Sequence, residues 1–143
     1  LYRIVPKAAL MLLKGQKFPL EGGGKVKKSF MHCADIAESI HSVTKDGKMG
    51  EIYNAGVDEP TSMRRLVELV CDHLSLDFEK YVEVTEGRIG EDKQYWLDSK
   101  KIFNDTGWKP KMSLQEGVVE TVDWVKKNFK DLDRENLNFT LRA

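Results

Sequence analysis

Leu20-Glu21-Gly22-Gly23-Gly24-Lys25-Val26-Lys27-Lys28-Ser29-Phe30-Met31-His32-Cys33-Ala34-Asp35 is the stretch around which the rest of this chain is organised. Three consecutive glycines allow positive φ and a tight turn with no Cβ in the way. Lys25, Lys27 and Lys28 follow at once, and Asp35 stands near the start of a helical pattern. A flexible backbone, positive charge and a helix N-terminus in one place are what an anionic ligand such as a phosphate requires. The same residues also suit a polar turn with solvated lysines.

Upstream, Ile4, Val5, Ala8, Leu12 and Leu13 recur at helical spacing, predicting a helix over 1–14 that stops at Gly15. Phe18–Leu20 reads as a short strand before the glycines and Ser29–Met31 as another after them. Ile36, Ile40 and Val43 place a helix over 35–44. Glu51–Gly56 reads as a strand ending on a polar residue and a glycine. Ser62 is a good N-cap for a helix carrying Met63, Leu66, Val67, Val70 and Leu74 on its buried face. Tyr81–Val84 and Tyr95–Leu97 read as strands on either side of a loop, Thr85–Asp92. A short helix capped by Asp98 or Ser99 runs to Gly107. Ser113 and Glu116 form a capping box for a helix with Leu114, Val118, Val122, Val125 and Phe129 on one face. Gly117 within it points to a close packing contact. The pattern fades after Lys130, giving one domain over residues 1–130 and a tail over 131–143. The fold class is α/β: a small lobe of helices packed on short strand pairs, without a long parallel sheet.

The 143 residues suit a single domain able to bury a core without disulfide or metal. Basic and acidic residues balance at 23 each, which argues against bulk electrostatic capture of nucleic acid or an acidic membrane, so any anion site is a local patch. No apolar run reaches the ~20 residues of a membrane span, and no signal-peptide pattern opens the chain. Cys33 and Cys71 read as free thiols in a reducing, cytoplasmic setting. His32, His41 and His73 lack metal-ligand spacing. The Gly22 loop is no Walker A loop, because Val26 stands where Ser or Thr is needed, and Lys27 breaks a dinucleotide fingerprint. No tyrosine has a lysine four residues later, and no Gly-x-Ser-x-Gly elbow is present. The residues alone show no catalytic apparatus. The opening Leu1, inside an apolar run, points to a piece of a longer protein.

The order of several weak motifs says more than any one of them. They run Leu1-Tyr2-Arg3-Ile4-Val5-Pro6-Lys7; Leu20–Gly24; Lys28-Ser29-Phe30-Met31-His32 with Asp35; Gly50-Glu51-Ile52-Tyr53-Asn54; Arg88-Ile89-Gly90-Glu91-Asp92 with Tyr95 and Asp98; and Gly107-Trp108-Lys109-Pro110. This series resembles the C-terminal part of the extended short-chain dehydrogenase/reductases, specifically the NAD-dependent nucleotide-sugar epimerases and dehydratases, with the dTDP-glucose 4,6-dehydratase group nearest. The resemblance covers the chain to about Asn128.

The resemblance implies a lobe that grips the nucleotide diphosphate of a sugar substrate. NAD and the Tyr-x-x-x-Lys catalytic pair would belong to an N-terminal Rossmann domain, so this chain alone is expected to be inactive. In the full enzyme, a lyase or epimerase, the sugar C4 hydroxyl would be oxidised by hydride transfer to NAD. Lys28 falls where the family carries a phosphate-binding Arg, and a point charge there replaces a bidentate fork. Arg88 matches the pyrophosphate Arg of Arg-Pro-Gly-x-Asp, with Ile89 in place of the Pro. Asn54 matches the polar residue that ends the Tyr-Asn strand, Asp92 and Tyr95 match positions near the sugar and nucleotide, and all three are expected to bind substrate. Implied partners are a nucleotide-diphospho-sugar, the missing Rossmann domain and, in the full-length protein, a second copy in a homodimer. A stand-alone, non-catalytic nucleotide-sugar-binding or protein-interaction module is the competing reading. On residues alone Arg88 also suits a surface ion pair with Glu91 or Asp92.

Overall fold

A computed structural model describes residues 3–88 and 90–133. Seven helices and five short strands follow in the order α1 (Ile4–Leu13), β1 (Phe18–Glu21), β2 (Lys27–Lys28), α2 (Cys33–Asp46), β3 (Thr61–Ser62), α3 (Met63–Leu74), α4 (Phe78–Tyr81), β4 (Val82–Thr85), β5 (Gln94–Tyr95), α5 (Lys100–Thr106), α6 (Leu114–Lys127) and α7 (Phe129–Leu132). The α/β lobe of helices on small strand pairs is the fold class expected from the sequence.

The core is helical. The three helices α1, α3 and α6 pack on one another and close over Ala8, Leu10, Leu66, Val67, Val70, Val122 and Val125, all essentially inaccessible to solvent. Each is an amphipathic helix whose apolar stripe finds a stripe on a neighbour. Burying one such Leu or Val contributes about 1.5–3 kcal/mol. Their termini follow their sequences. Ser62 accepts from the Arg65 N–H at 3.1 Å, and Ser113 and Glu116 form the complete capping box. A Cβ added at Gly117 would meet the His32 ring at 3.5 Å, an ordinary van der Waals distance, so the expected close packing there is not required by space.

Two small sheets flank this core. In the first, β1 and β4 run parallel, with Phe18 opposite Val82 and Leu20 opposite Val84. Phe18 and Leu20 point inward while Pro19 and Glu21 point outward, the alternation a half-buried strand requires. In the second, β2 is central: it pairs antiparallel with β3 and parallel with β5. The glycine turn at 22–24 links the two sheets; all three residues hold positive φ, and at Gly24 there is also no room for a side chain. A Cβ on Gly24 would lie 2.5 Å from the Arg64 amide nitrogen, and one on Gly22 would touch the Cα of Gly87 at 3.4 Å.

Several boundaries differ from the sequence reading. The strand expected at Ser29–Met31 is paired instead at Lys27–Lys28, because β3 and β5 offer partners there. The strand expected over Tyr95–Leu97 is Gln94–Tyr95. Helix α2 begins at Cys33, where the His32 ring accepts from the Ala34 N–H at 3.3 Å. Helices α4 and α7 went unread, being four residues each; α7 crosses the boundary drawn at residue 130, and the rest of the expected tail, 134–143, lies outside the described residues.

The largest correction is Glu51–Gly56, which forms no strand. A strand needs a neighbour to complete its hydrogen bonds, and this run has none among the described residues. Polar ties to α5 hold it instead. The Tyr53 hydroxyl donates to Asp105 at 2.8 Å, and the Lys101 ammonium donates to Glu51 at 2.7 Å and to the Ile52 carbonyl at 2.8 Å. Helix α2, just before it, is inverted. Its buried residues are Asp35 and Ser39, while Ile36 and Ile40 are 44% and 63% exposed.

Candidate functional site

The ladder of the second sheet decides what stands next to what. Parallel pairing of β2 with β5 sets Lys28 opposite Tyr95. Lys28 is half-buried and its ammonium lies 3.1 Å from Glu91 Oε1. That bond ties β2 to the loop between β4 and β5, which also carries Arg88 and Asp92. Arg88 and Glu91 are three positions apart, so their Cα atoms lie within about 11 Å of each other. Lys28 and Tyr95 thus stand side by side, the loop that carries Arg88 and Asp92 is bonded to the same lysine, and the Arg88 side chain itself turns to β1.

Asn54 arrives by another route. The Val57 N–H donates to the Ser29 hydroxyl at 3.3 Å, and Gly56 packs so tightly against Ser29, Ser99 and the Leu97 carbonyl that an added Cβ would meet them at 3.3–3.4 Å. Ser29 in turn donates its N–H to the Tyr95 carbonyl at 3.1 Å. The run bearing Asn54 is thereby pinned beside β2 and β5. Asn54, Asp92 and Tyr95 are exposed, and neither Asn54 nor Asp92 has a side-chain hydrogen bond among the described residues.

Arg88 does not take the ion pair its sequence neighbours suggest. It reaches Glu21 at the end of β1, with Nη2 donating to Oε1 at 3.0 Å and Nε lying 2.6 Å from Oε2. This two-point fork lifts the guanidinium further above its ordinary value, the hydrogen bond to Glu21 being the main cause. Neither Glu21 nor Glu91 was singled out as part of a site. Their signal was present: each is an acid within a few residues of the glycine turn or the Arg88 loop. Pairing across 67 and 63 positions, however, is set by the sheets and not by local spacing.

Asp35 turns out to be structural. Its two carboxylate oxygens accept from the N–H groups of Lys111 and Met112, both at 3.1 Å, anchoring the segment that enters α6. A groove of about 760 Å³ lies beside the cluster, lined by Gly56, Val57, Trp96, Leu97, Phe103 and Trp108 among others, and none of the five candidates lines it. The Ser99 hydroxyl and the Trp108 indole N–H at its wall are buried without a hydrogen-bond partner among the described residues. The described residues hold no cluster of His, Cys, Asp and Glu suited to a metal ion, and no helix among them is long and apolar enough to cross a membrane.

An arginine and a lysine beside a glycine turn, with polar and aromatic side chains around them, can bind a polyanion and stack or hydrogen-bond its attached groups. The family model for GDP-mannose 4,6 dehydratase matches residues 2–121. The mouse dTDP-D-glucose 4,6-dehydratase is 33% identical over 132 residues, covering 89% of this chain and 37% of that protein. The crystal structure of dTDP-glucose 4,6-dehydratase from Bacillus anthracis in complex with NAD superposes with a TM-score of 0.82 at 30% identity, over 90% of this chain and 40% of that one. The UDP-glucose 4-epimerase of Thermotoga maritima, solved with UDP-glucose, gives a TM-score of 0.81 at 25% identity, over 88% and 40%. The chain thus spans two-fifths or less of the length of these relatives. It belongs to the family of NAD-dependent nucleotide-sugar dehydratases and epimerases, whose full-length members use NAD.

Proposed function

We propose that this chain is the substrate-binding lobe of an NAD-dependent nucleotide-sugar 4,6-dehydratase or epimerase. Arg88 and Lys28 hold the diphosphate, Asn54, Asp92 and Tyr95 address the sugar and nucleotide, and residues 1–130 form the working unit. The observation that carries this reading is the pairing of Lys28 with Tyr95 across β2 and β5, with the Arg88 loop bonded to the same lysine. Each charge-assisted bond to phosphate contributes roughly 1.5–3 kcal/mol. NAD and the proton-transfer residues reside in a Rossmann domain outside this sequence, which contains no Tyr-x-x-x-Lys pair. The inverted helix α2 and the unpaired run at 51–56 supply an apolar face against which such a domain can pack.

NMR titration of the chain with dTDP, UDP and GDP tests the site. Saturable shifts at Lys28, Asn54 and Arg88 that vanish in Arg88→Ala are expected, and the preferred base narrows the substrate. An unaltered response in Arg88→Ala would remove the diphosphate role. Incubation with NAD and dTDP-glucose should give no 4-keto product, and clear turnover would contradict the assignment of catalysis to another domain.

A further inference from the structure

We propose that Glu21 and Glu91 are resident counter-ions of the phosphate-binding cations, displaced when a diphosphate enters, and that they set the affinity of the site. This rests on the reading of Arg88 and Lys28 as diphosphate ligands. Both cations already hold a carboxylate: Arg88 in a two-point fork on Glu21, Lys28 on Glu91 at 3.1 Å. The fork on Glu21 uses the same paired N–H donors that a phosphate would occupy.

The Glu21 side chain is 44% exposed and that of Arg88 71%. Glu21 ends β1, stands opposite Thr85 in the parallel pair, and precedes the glycine turn that touches Gly87, the residue before Arg88. Glu91 is fixed by the same loop that presents Arg88, and the side chains of Glu91 and Lys28 are 25% and 35% exposed. Two cations and two carboxylates sum to zero, so the empty cluster exerts little pull on anions, in keeping with the zero net charge of the chain. A diphosphate outcompetes the acids because it brings more charge than one carboxylate and can replace both at once. The freed carboxylates return to water. Glu21 and Glu91 thereby subtract from the affinity of any ligand.

The test is calorimetric titration of the 143-residue chain with inorganic pyrophosphate and with dTDP. Wild type is compared with Glu21→Gln, Glu91→Gln, the double variant and Arg88→Ala. The glutamines preserve shape and remove charge. Each single change is expected to tighten binding about two- to five-fold, the range for releasing an exposed ion pair, and the double variant to tighten it further. Loss of binding in Arg88→Ala confirms that the titration reports this site. If both glutamine variants bind as the wild type does, or more weakly, while Arg88→Ala loses binding, the counter-ion role is overturned and the diphosphate site stands. If Arg88→Ala binds like wild type, the site itself is wrong and the counter-ion role falls with it.

Discussion

Helices α2 and α3 carry nearly the same apolar rhythm and meet opposite fates. In α3, Leu66, Val67 and Val70 are fully buried against α1 and α6. In α2, Ile36 and Ile40 face outward, while the helix packs on α5 and its buried Asp35 holds the 111–112 segment. Periodicity specifies that a helix has an apolar face; it does not specify where the surface that covers it comes from. For α3 that surface lies in this chain. For α2 the described residues offer none, and the adjacent run at 51–56, patterned as a strand, likewise finds no strand to pair with.

The sharpest way to break this contrast is to truncate one residue on each helix. Leu66→Ala removes a side chain from a closed core and should cost about 2–5 kcal/mol. Ile40→Ala removes an exposed one and should stay within about 0.5 kcal/mol. Urea unfolding of the two variants measures both, and comparable losses would mean that the α2 face is covered within this chain after all. Next in size is Asp35→Ala. It strips two part-buried backbone N–H groups, those of Lys111 and Met112, of their acceptor, and should destabilise by about 1–3 kcal/mol with protection from hydrogen exchange lost at those two amides. A change below about 0.5 kcal/mol would show that α2 is not held by its polar side.

A smaller effect is expected at the acid end of the stability curve. Asp105 accepts from Lys48 and from Tyr53, which hold its carboxyl below the ordinary range, the Lys48 hydrogen bond being the larger cause. A lowered carboxyl stabilises the fold above its unfolded value near 3.8 and loses that contribution as pH falls through the folded value. Lys48 is raised above 10.5 by the same partner, so its share is lost only as pH rises past that point. Asp105→Asn should therefore flatten the loss of stability below about pH 4, as read by thermal melts at stepped pH. An unchanged acid limb would show that Asp105 does not fasten the 48–53 run to α5.

What the sequence made legible follows the same division. Helices whose stripes are covered within this chain, α1, α3 and α6, are readable from their periodicity, and α3 and α6 also from their caps, because Ser62 and the Ser113–Glu116 box act within one turn. The strand expected at 51–56 does not form because no hydrogen-bonding neighbour for it is present among the described residues. Of the site, Lys28 and Arg88 were legible through motif order. Glu21 and Glu91 were not, because pairings between residues more than 60 positions apart exist only once β1–β4 and β2–β5 have formed.

The two cysteines put one reporter on each helix and perturb nothing at neutral pH. Cys33 begins α2 and is exposed; Cys71 lies in α3 and is buried, which pushes its thiol up to about 11. The thiolate is the reactive form, so a maleimide at pH 7.5 should label Cys33 within minutes and Cys71 only in urea. Mass spectrometry of digested peptides separates the two. The raised thiol also fixes a sign: folding favours the protonated form, so this contribution is intact below the unfolded value near 9.0 and fades as pH climbs toward 11. The same labelling then asks where the cover for α2 comes from. In a longer polypeptide carrying an NAD-binding domain, Cys33 should become slow to label while Cys71 is unchanged. Equal Cys33 rates in the short and long chains would mean that this face stays open even there, and that its exposed isoleucines belong to some other contact.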